Sequence, residues 1–185
     1  MFTSIAIIGR PNVGKSTLFN KLTKTREAIV SDFPGLTKDR NYGYIKLGSI
    51  KSFIIDTGGI GKDESNLSQN ISEQAWMAAN ECNLILFLVD GSENLTSEDF
   101  DILSSLRKLN KPFITLLNKS DKSSKSEALN DISSKGIKDY LDISAEHSRG
   151  LDDLKKLLIK MLPEKTDETV PDGKKIAVLG RPNAG

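Results

Sequence analysis

Cysteine and long hydrophobic runs are scarce in this sequence of 185 residues. The single cysteine, Cys82, excludes a disulfide within the chain and a zinc site built from several cysteines. No apolar run approaches the ~18 residues that a membrane-spanning helix needs. Lys and Arg total 26 against 25 Asp and Glu, and the net charge of +1 creates no overall field that favours nucleic acid or an anionic membrane. We therefore expect a cytoplasmic globular protein with no membrane partner.

Short apolar runs alternate with segments of helical periodicity through most of the chain. The runs predict six strands, Ser4–Ile8, Tyr42–Leu47, Ser52–Ile55, Leu84–Val89, Phe113–Leu117 and Lys138–Ile143. Four runs are almost continuously apolar, which is typical of strands covered on both faces. The second and third runs are too close for a crossover helix and predict an antiparallel hairpin. The sequence thus predicts an α/β fold with a doubly wound, mostly parallel six-stranded sheet and one antiparallel hairpin strand.

Two helices carry clear start or stop signals. Thr96 precedes two acidic residues and then apolar positions at helical spacing, so it is expected to cap a helix at its N-terminus. Leucines from Leu151 onward recur at helical spacing until Pro163, which predicts a terminal amphipathic helix. A further helix is expected over Ile71–Asn80.

The composition changes after this last helix. Residues 163–175 are polar, contain Pro and Gly and have no apolar face, which is typical of a linker. The following segment, Ile176–Gly185, repeats Ile5–Gly14 with seven identical residues out of ten. We therefore expect one domain over residues 1–162, a linker over 163–175, and the truncated first strand and incomplete loop of a second domain over 176–185.

The segment Gly9–Ser16 matches the pattern GxxxxGK[ST] directly after an apolar strand and before a helix. Glycines in such a loop let backbone N–H groups converge on phosphate oxygens at a helix N-terminus. Lys15 is expected to reach the β- and γ-phosphates, and the Ser16 hydroxyl to coordinate Mg²⁺. The motif assigns the sheet to the P-loop NTPase class. Its expected nucleotide-binding residues are Gly9, Pro11, Asn12, Val13, Gly14, Lys15, Ser16 and Thr17.

Two further segments are expected around the γ-phosphate. Asp56 ends an apolar run and begins the pattern DxxG, so its carboxylate is expected to hold Mg²⁺ through a water. The amide of Gly59, the last residue of the pattern, is expected to sense the γ-phosphate. Thr37 lies in a polar loop that suits a segment ordered by ligand, and it is the candidate for a further Mg²⁺ ligand.

Two polar segments at the ends of later strands are candidates for binding a base. Asp121, in Asn118–Asp121, is expected to accept hydrogen bonds from the ring N–H and amino group of guanine, a pattern that adenine does not present. Asn118 is expected to brace the P-loop, and the Lys119 side chain to lie along the base. In Ser144–Glu146, the amide of Ala145 is expected to bond the guanine carbonyl, with Ser144 and Glu146 beside it.

These segments together resemble a known family. The stretches that carry the resemblance are Gly9–Ser16, Thr37, Asp56–Gly59, Asn118–Asp121 and Ser144–Ala145. In this order they resemble the five guanine-nucleotide motifs of small GTPases related to translation factors. Residues 28–32, 56–60 and 85–91, with the repeat from Ile176, are more specifically similar to the Der (EngA) family of bacterial ribosome-assembly GTPases, whose members have two G domains and a KH-like domain.

The resemblance implies an activity and partners. It implies binding of GTP and GDP with Mg²⁺, and hydrolysis of GTP to GDP and phosphate. In the full-length protein the large ribosomal subunit and its rRNA would be the partner, whereas this chain lacks the second G domain and the KH-like domain. Members with Asn at the position of Asn12 use it as a potassium ligand, so K⁺ is expected to stimulate hydrolysis here. Lys15, Asn12, Thr37 and Gly59 are then the candidate catalytic residues.

Two other functions remain open from the sequence. Ile60 stands where related enzymes have a Gln that orients the attacking water, and its side chain forms no hydrogen bond. The chain is therefore also compatible with a nucleotide-gated binding module whose hydrolysis is negligible. An ATP-using P-loop kinase is a third reading, which the guanine-type motif Asn118–Asp121 disfavours.

Overall fold

The computed structural model describes residues 3–23, 41–57, 73–121, 132, 136–137 and 139–162. Within these residues the chain forms six strands and four helices. The strands are β1 (Thr3–Ile8), β2 (Asn41–Leu47), β3 (Ile50–Asp56), β4 (Leu84–Asp90), β5 (Phe113–Asn118) and β6 (Tyr140–Asp142). The helices are α1 (Lys15–Leu22), α2 (Glu73–Glu81), α3 (Ser97–Lys108) and α4 (Leu151–Met161).

The six strands form one sheet in the order β2-β3-β1-β4-β5-β6. Only the β2–β3 pair is antiparallel, and every other neighbouring pair is parallel. Leu47 pairs with Ile50, so a two-residue turn joins the hairpin strands. Gly48 in this turn has a φ of 61°, a left-handed conformation that glycine adopts without strain. The predicted fold class is confirmed.

Alternating side chains of the sheet contribute to two large apolar clusters, one on each face. On one face, Ile5, Leu86 and Leu88 pack in a cluster that contains apolar residues of α1 and α4. On the other face, Ile85 and Phe87 pack in a cluster that contains apolar residues of α2 and α3. All seven residues of β4 are buried, since this strand lies inside the sheet and is covered on both faces.

The start of α3 follows its sequence signal. The Thr96 hydroxyl accepts a hydrogen bond from the Asp99 amide, and the Asp99 carboxylate accepts one from the Thr96 amide. This reciprocal pair, a capping box, satisfies two backbone donors that the helix itself cannot pair. The predicted cap at Thr96 is confirmed.

The boundaries of other elements differ slightly from the sequence prediction. The last strand, expected over residues 138–143, pairs with β5 only over Tyr140–Asp142. Directly after the strand, the Ile143 amide still donates to the Leu117 carbonyl of β5 at 2.8 Å, while the Ile143 carbonyl accepts the Ser120 amide at 3.1 Å and joins the two loops beyond the strands. The expected linker over 163–175 and the repeated segment 176–185 lie outside the described residues, so the domain boundaries stay predictions.

Candidate nucleotide-binding site

The loop between β1 and α1 is shaped by close backbone approaches. A Cβ on Gly9 would lie 2.3 Å from the Leu88 carbonyl oxygen of β4, so only glycine lets the loop leave the sheet here. Asn12 and Gly14 have φ values of 64° and 98°, which turn the chain back toward the start of α1. Left-handed residues of this kind are typical of nests, in which successive N–H groups converge and bind an anion.

Lys15, the first residue of α1, reaches back over this loop. Its Nζ donates to the carbonyl oxygens of Gly9 and Arg10, each at 2.7 Å. Burial lowers the pKa of Lys15, while the negative charges of Asp56 and Glu98 act in the opposite direction. The ammonium therefore stands at a helix N-terminus in a partly desolvated position, where an anionic ligand would compensate its charge.

The end of β3 supplies a buried carboxylate beside the P-loop strand. Asp56 is only 2% exposed and pairs in register with Ile7 of β1. Thr57, which follows it, donates its hydroxyl hydrogen bond to the Ile7 carbonyl and fixes the strand end. Ser16 is exposed directly after Lys15. A carboxylate and a hydroxyl are hard oxygen donors of the kind Mg²⁺ takes, so these residues fit that ion.

Asn118, at the end of β5, joins three segments. Its side-chain amide donates to the Val13 carbonyl at 2.8 Å, and its side-chain oxygen accepts the Ala145 amide at 2.9 Å. A Cβ on Gly14 would lie 2.4 Å from the Asn118 side-chain nitrogen. One buried side chain thus holds together the P-loop, the end of β5 and the loop after β6. The contact of Asn118 with the P-loop agrees with the expectation from the sequence.

Lys119 and Asp121 follow Asn118 with different environments. Lys119 has a φ of 62°, and its Nζ donates to Asp90 at 2.6 Å. Asp121 is solvent-facing, with one carboxylate oxygen 3.6 Å from His147 Nε2. The side chain of Ser144 and the nearby positive groups lower the pKa of Asp121, which keeps its carboxylate ionised as a hydrogen-bond acceptor. An ionised acceptor is the form that recognition of guanine N–H groups requires.

The loop between β6 and α4 is fixed to the same edge. Ser144 and Arg149 form an isolated antiparallel bridge, and the Arg149 side chain donates to the Ser120 hydroxyl at 2.6 Å. Ala145 is buried with its amide on Asn118, whereas Glu146 is exposed. The structure therefore places the amide of Ala145 on the Asn118 side chain rather than toward a free pocket.

Most of the expected site residues lie together at the carboxyl edge of the sheet. The described ones are Gly9, Pro11, Asn12, Val13, Gly14, Lys15, Ser16, Thr17, Asp56, Asn118, Lys119, Asp121, Ser144, Ala145 and Glu146. Thr37 and Gly59, the remaining candidates, lie outside the described residues. The roles of all of them in binding stay predictions.

Sequence reasoning missed the roles of two charged residues around this site. Arg10 was read only as part of the P-loop pattern, yet its side chain pairs with Asp99 at the start of α3. Asp90, the partner of Lys119, was not singled out. Its position directly after a continuously apolar strand was the available signal, because polar groups at the carboxyl ends of parallel strands gather at one edge.

Comparison with known proteins identifies relatives. The family described as 50S ribosome-binding GTPase matches residues 4–119. The chain is 47% identical over 186 aligned residues to GTPase Der of Legionella pneumophila (strain Corby), covering all of this chain and 40% of that protein. It is 46% identical over 183 residues to GTPase Der of Geotalea daltonii, covering 98% of this chain and 42% of that protein. The resemblance to the Der family is confirmed, and the chain spans less than half the length of these relatives.

Solved structures show the same fold. An Era variant from Aquifex aeolicus bound to GDP.AlF4- superposes with a TM-score of 0.71 at 33% identity, over 89% of this chain and 58% of that chain. Era in complex with MgGDPNP and a segment of 16S ribosomal RNA gives a TM-score of 0.70 at 32% identity, with the same coverage. Among the described residues of this chain, no helix is long and apolar enough to span a bilayer.

Proposed function

The chain belongs to the 50S ribosome-binding GTPase family, and we propose that it is a G domain that binds GTP and hydrolyses it to GDP and phosphate. One observation carries the proposal. The Asn118 side chain bonds both the P-loop carbonyl of Val13 and the amide of Ala145. A phosphate-binding loop and a base-recognition loop are thereby held at one sheet edge, as a nucleotide requires.

The phosphate end is assigned to the P-loop. Its backbone amides and the Lys15 ammonium would bind the β- and γ-phosphates, since positive charge there offsets the charge that develops in phosphoryl transfer. Ser16 and Asp56 would hold Mg²⁺, with Thr37 as a further ligand and the Gly59 amide on the γ-phosphate. Bound Mg²⁺ supplies charge neutralisation between the phosphates.

The base end is assigned to Asp121 and its neighbours. The ionised carboxylate would accept from the ring N–H and amino group of guanine. Lys119, fixed by Asp90, would lie along the base, and the Ser144–Glu146 loop would close its far side. Adenine would leave the carboxylate without donors, and a site built around such bonds rejects the wrong ligand by about 10⁴-fold or more.

Potassium is proposed as a second cation in hydrolysis. The side chain of Ile60 has no group that could orient a water by hydrogen bonding. Hydrolysis therefore needs another catalytic contribution, and a bound cation is one. Asn12 is exposed on the P-loop in a left-handed conformation, and its side-chain oxygen is a neutral ligand. Bound K⁺ would supply part of the charge that an arginine finger provides elsewhere, an effect of about 10³–10⁵ in rate.

The cellular role is proposed from the relatives. The full-length protein would act in the bacterial cytoplasm in assembly of the large ribosomal subunit, contacting its rRNA. The relatives named GTPase Der extend well beyond the matched region. A second G domain and a KH-like domain are accordingly proposed for the full-length protein. The family match does not favour the alternative of a binding module with negligible hydrolysis.

Nucleotide selectivity tests the function directly. Fluorescent GTP, GDP and ATP are titrated into the chain with and without Mg²⁺, and into Asp121→Asn as the matched variant. We expect GTP and GDP to bind, ATP to bind at least about 10⁴-fold more weakly, and the variant to lose this preference. Equal affinity for ATP and GTP in the unsubstituted chain would contradict the assignment and favour the kinase reading.

The potassium proposal has its own measurement. Single-turnover GTP hydrolysis is followed in KCl and NaCl at equal ionic strength, for the unsubstituted chain and for Asn12→Ala. We expect faster hydrolysis in KCl, because a positioned cation stabilises the developing charge, and loss of this difference in the variant. Identical rates in the two salts would remove Asn12 from the mechanism.

A further inference from the structure

Arg10 connects the P-loop to a different part of the fold. Its side chain is only 16% exposed, and its Nε donates to Asp99 Oδ2 at 3.1 Å while its terminal nitrogen pairs with Glu93. The carbonyl of the same residue accepts the Lys15 ammonium. One residue thus carries a backbone contact to the phosphate-binding lysine and a side-chain contact to the start of α3.

Asp99 is held firmly where it meets this arginine. It is 1% exposed, and its Oδ2 accepts from the Thr96 amide and the Thr96 hydroxyl, each at 3.0 Å. A shift of the carboxylate would break the cap of α3. Although burial works against its charge, Glu93 and Asp99 raise the pKa of Arg10. Arg10 therefore stays charged, and its position follows that of the helix.

A surface ion pair would not support a functional argument, since such pairs contribute about 0–1 kcal/mol. This pair differs because the carboxylate is buried and the arginine is mostly covered. Removing one partner of a buried pair leaves an uncompensated charge, which is strongly destabilising locally. The capping box already pairs the backbone donors at the start of α3, so Arg10 adds no cap and instead compensates the buried charge of Asp99. The contact is better explained by what it does to the P-loop.

The end of β4 and the turn that follows it also contact the base-recognition segment. Asp90, the last residue of β4, holds Lys119, and the Gly91 amide donates to the Asn118 carbonyl at 2.7 Å. A Cβ on Gly91 would lie 2.8 Å from that carbonyl oxygen, so the turn packs directly against the end of β5. The segment from β4 to α3 therefore contacts both ends of the candidate nucleotide site, with Arg10 at the phosphate end.

We propose that Asp99 is a positioning residue for phosphate binding, which acts through Arg10 to fix the P-loop carbonyls that hold Lys15. The proposal rests on the nucleotide-binding function proposed above. It assigns a role to Asp99, which lies outside the five guanine-nucleotide motifs. Loss of the Asp99 charge leaves Arg10 held by its pair with the half-exposed Glu93, and the P-loop then has to be ordered in part by the ligand itself, which lowers affinity.

Asp99→Asn tests this role because Asn keeps an oxygen that accepts from Thr96 but removes the charge. We expect the Kd for GDP to rise about tenfold. The Kd for inosine diphosphate, which lacks the amino group that Asp121 would read, should rise by the same factor, because only the phosphate end is disturbed. The control is Asp153→Asn, which removes an exposed ion pair with Lys156 on α4 and should leave both values unchanged.

A second variant guards against a merely structural effect. Arg10→Gln removes the other partner without touching the cap, and the double variant with Asp99→Asn should lose no more affinity than either single variant. Urea unfolding of the nucleotide-free variants measures stability separately. Unchanged GDP affinity in both single variants, or additive losses in the double variant, would overturn the inference. Failure of the unsubstituted chain to bind GDP would instead refute the proposed function and, with it, this inference.

Discussion

Lys15 lies where two requirements of the P-loop oppose each other. Its charge is expected to serve a phosphate ligand, yet without ligand the ammonium is partly buried and donates to the carbonyls of Gly9 and Arg10. Burial of a charge costs free energy, while hydrogen bonds to charged groups recover about 1.5–3 kcal/mol each. We therefore expect the residue to contribute little net stability to the nucleotide-free fold and a large share of the proposed binding energy.

Lys15→Met separates these two contributions. We expect the Kd for GDP to rise by about 100-fold or more, because the phosphates lose a desolvated cation. The urea midpoint of the nucleotide-free chain should change little, because relief of desolvation offsets the lost hydrogen bonds. Lys21→Met, on the same helix but hydrogen-bonded to Ser148, is the matched control and should bind GDP as the unsubstituted chain does. Unaltered GDP binding by Lys15→Met would contradict the assignment.

The lowered pKa of Lys15 gives this variant a pH signature. The folded state binds this proton less tightly than the unfolded state, whose pKa lies near the ordinary value of 10.5. Stability therefore rises with pH between the lowered folded pKa and that value. As pH increases through this window, the free energy of unfolding of the unsubstituted chain should rise relative to that of Lys15→Met. A constant difference between them would show that Lys15 is not desolvated.

At the scale of elements, local patterns were sufficient wherever one segment carries the whole signal. The continuous apolar run of β4 predicted a strand buried on both faces, and all its residues are buried. Thr96 ahead of two acidic residues predicted the cap of α3 for the same reason, since both partners of the cap lie in one turn. The glycine pattern likewise predicted the strand–loop–helix that forms the P-loop.

Contacts between distant elements were beyond the reach of these patterns. Arg10 and Asp99 lie 89 positions apart, and nothing in either segment alone indicates the other. Asp90 and Lys119 meet because β4 and β5 are neighbours in register, with Asp90 beside Asn118. The strand order that creates this neighbour relation follows from the packing of the whole chain. The bond between Ile143 and Ser120 has a similar cause, because it joins the loops that follow two neighbouring strands.

At the scale of the whole molecule, the sheet couples its two cores. Leu88 and Phe87 are adjacent on β4 but pack on opposite faces, the first toward the α1–α4 side and the second toward the α2–α3 side. Trp76, the single tryptophan, packs on the α2–α3 side. Because β1, β4 and β5 each contribute side chains to both clusters, the two clusters share three strands, and the described fold should unfold as one unit.

Leu88→Ala tests this cooperativity from the side opposite to the tryptophan. The substitution leaves a cavity in the α1–α4 core, and we expect it to lower the free energy of unfolding by about 2–5 kcal/mol. Urea unfolding followed by Trp76 fluorescence and by far-ultraviolet circular dichroism should shift to the same lower midpoint, although Trp76 lies across the sheet. Met77→Ala, whose side chain is 53% exposed on α2, is the control and should leave the midpoint almost unchanged. If the circular dichroism transition shifted while the fluorescence transition stayed in place, the two faces would unfold independently, and a single sheet-wide core would be the wrong description.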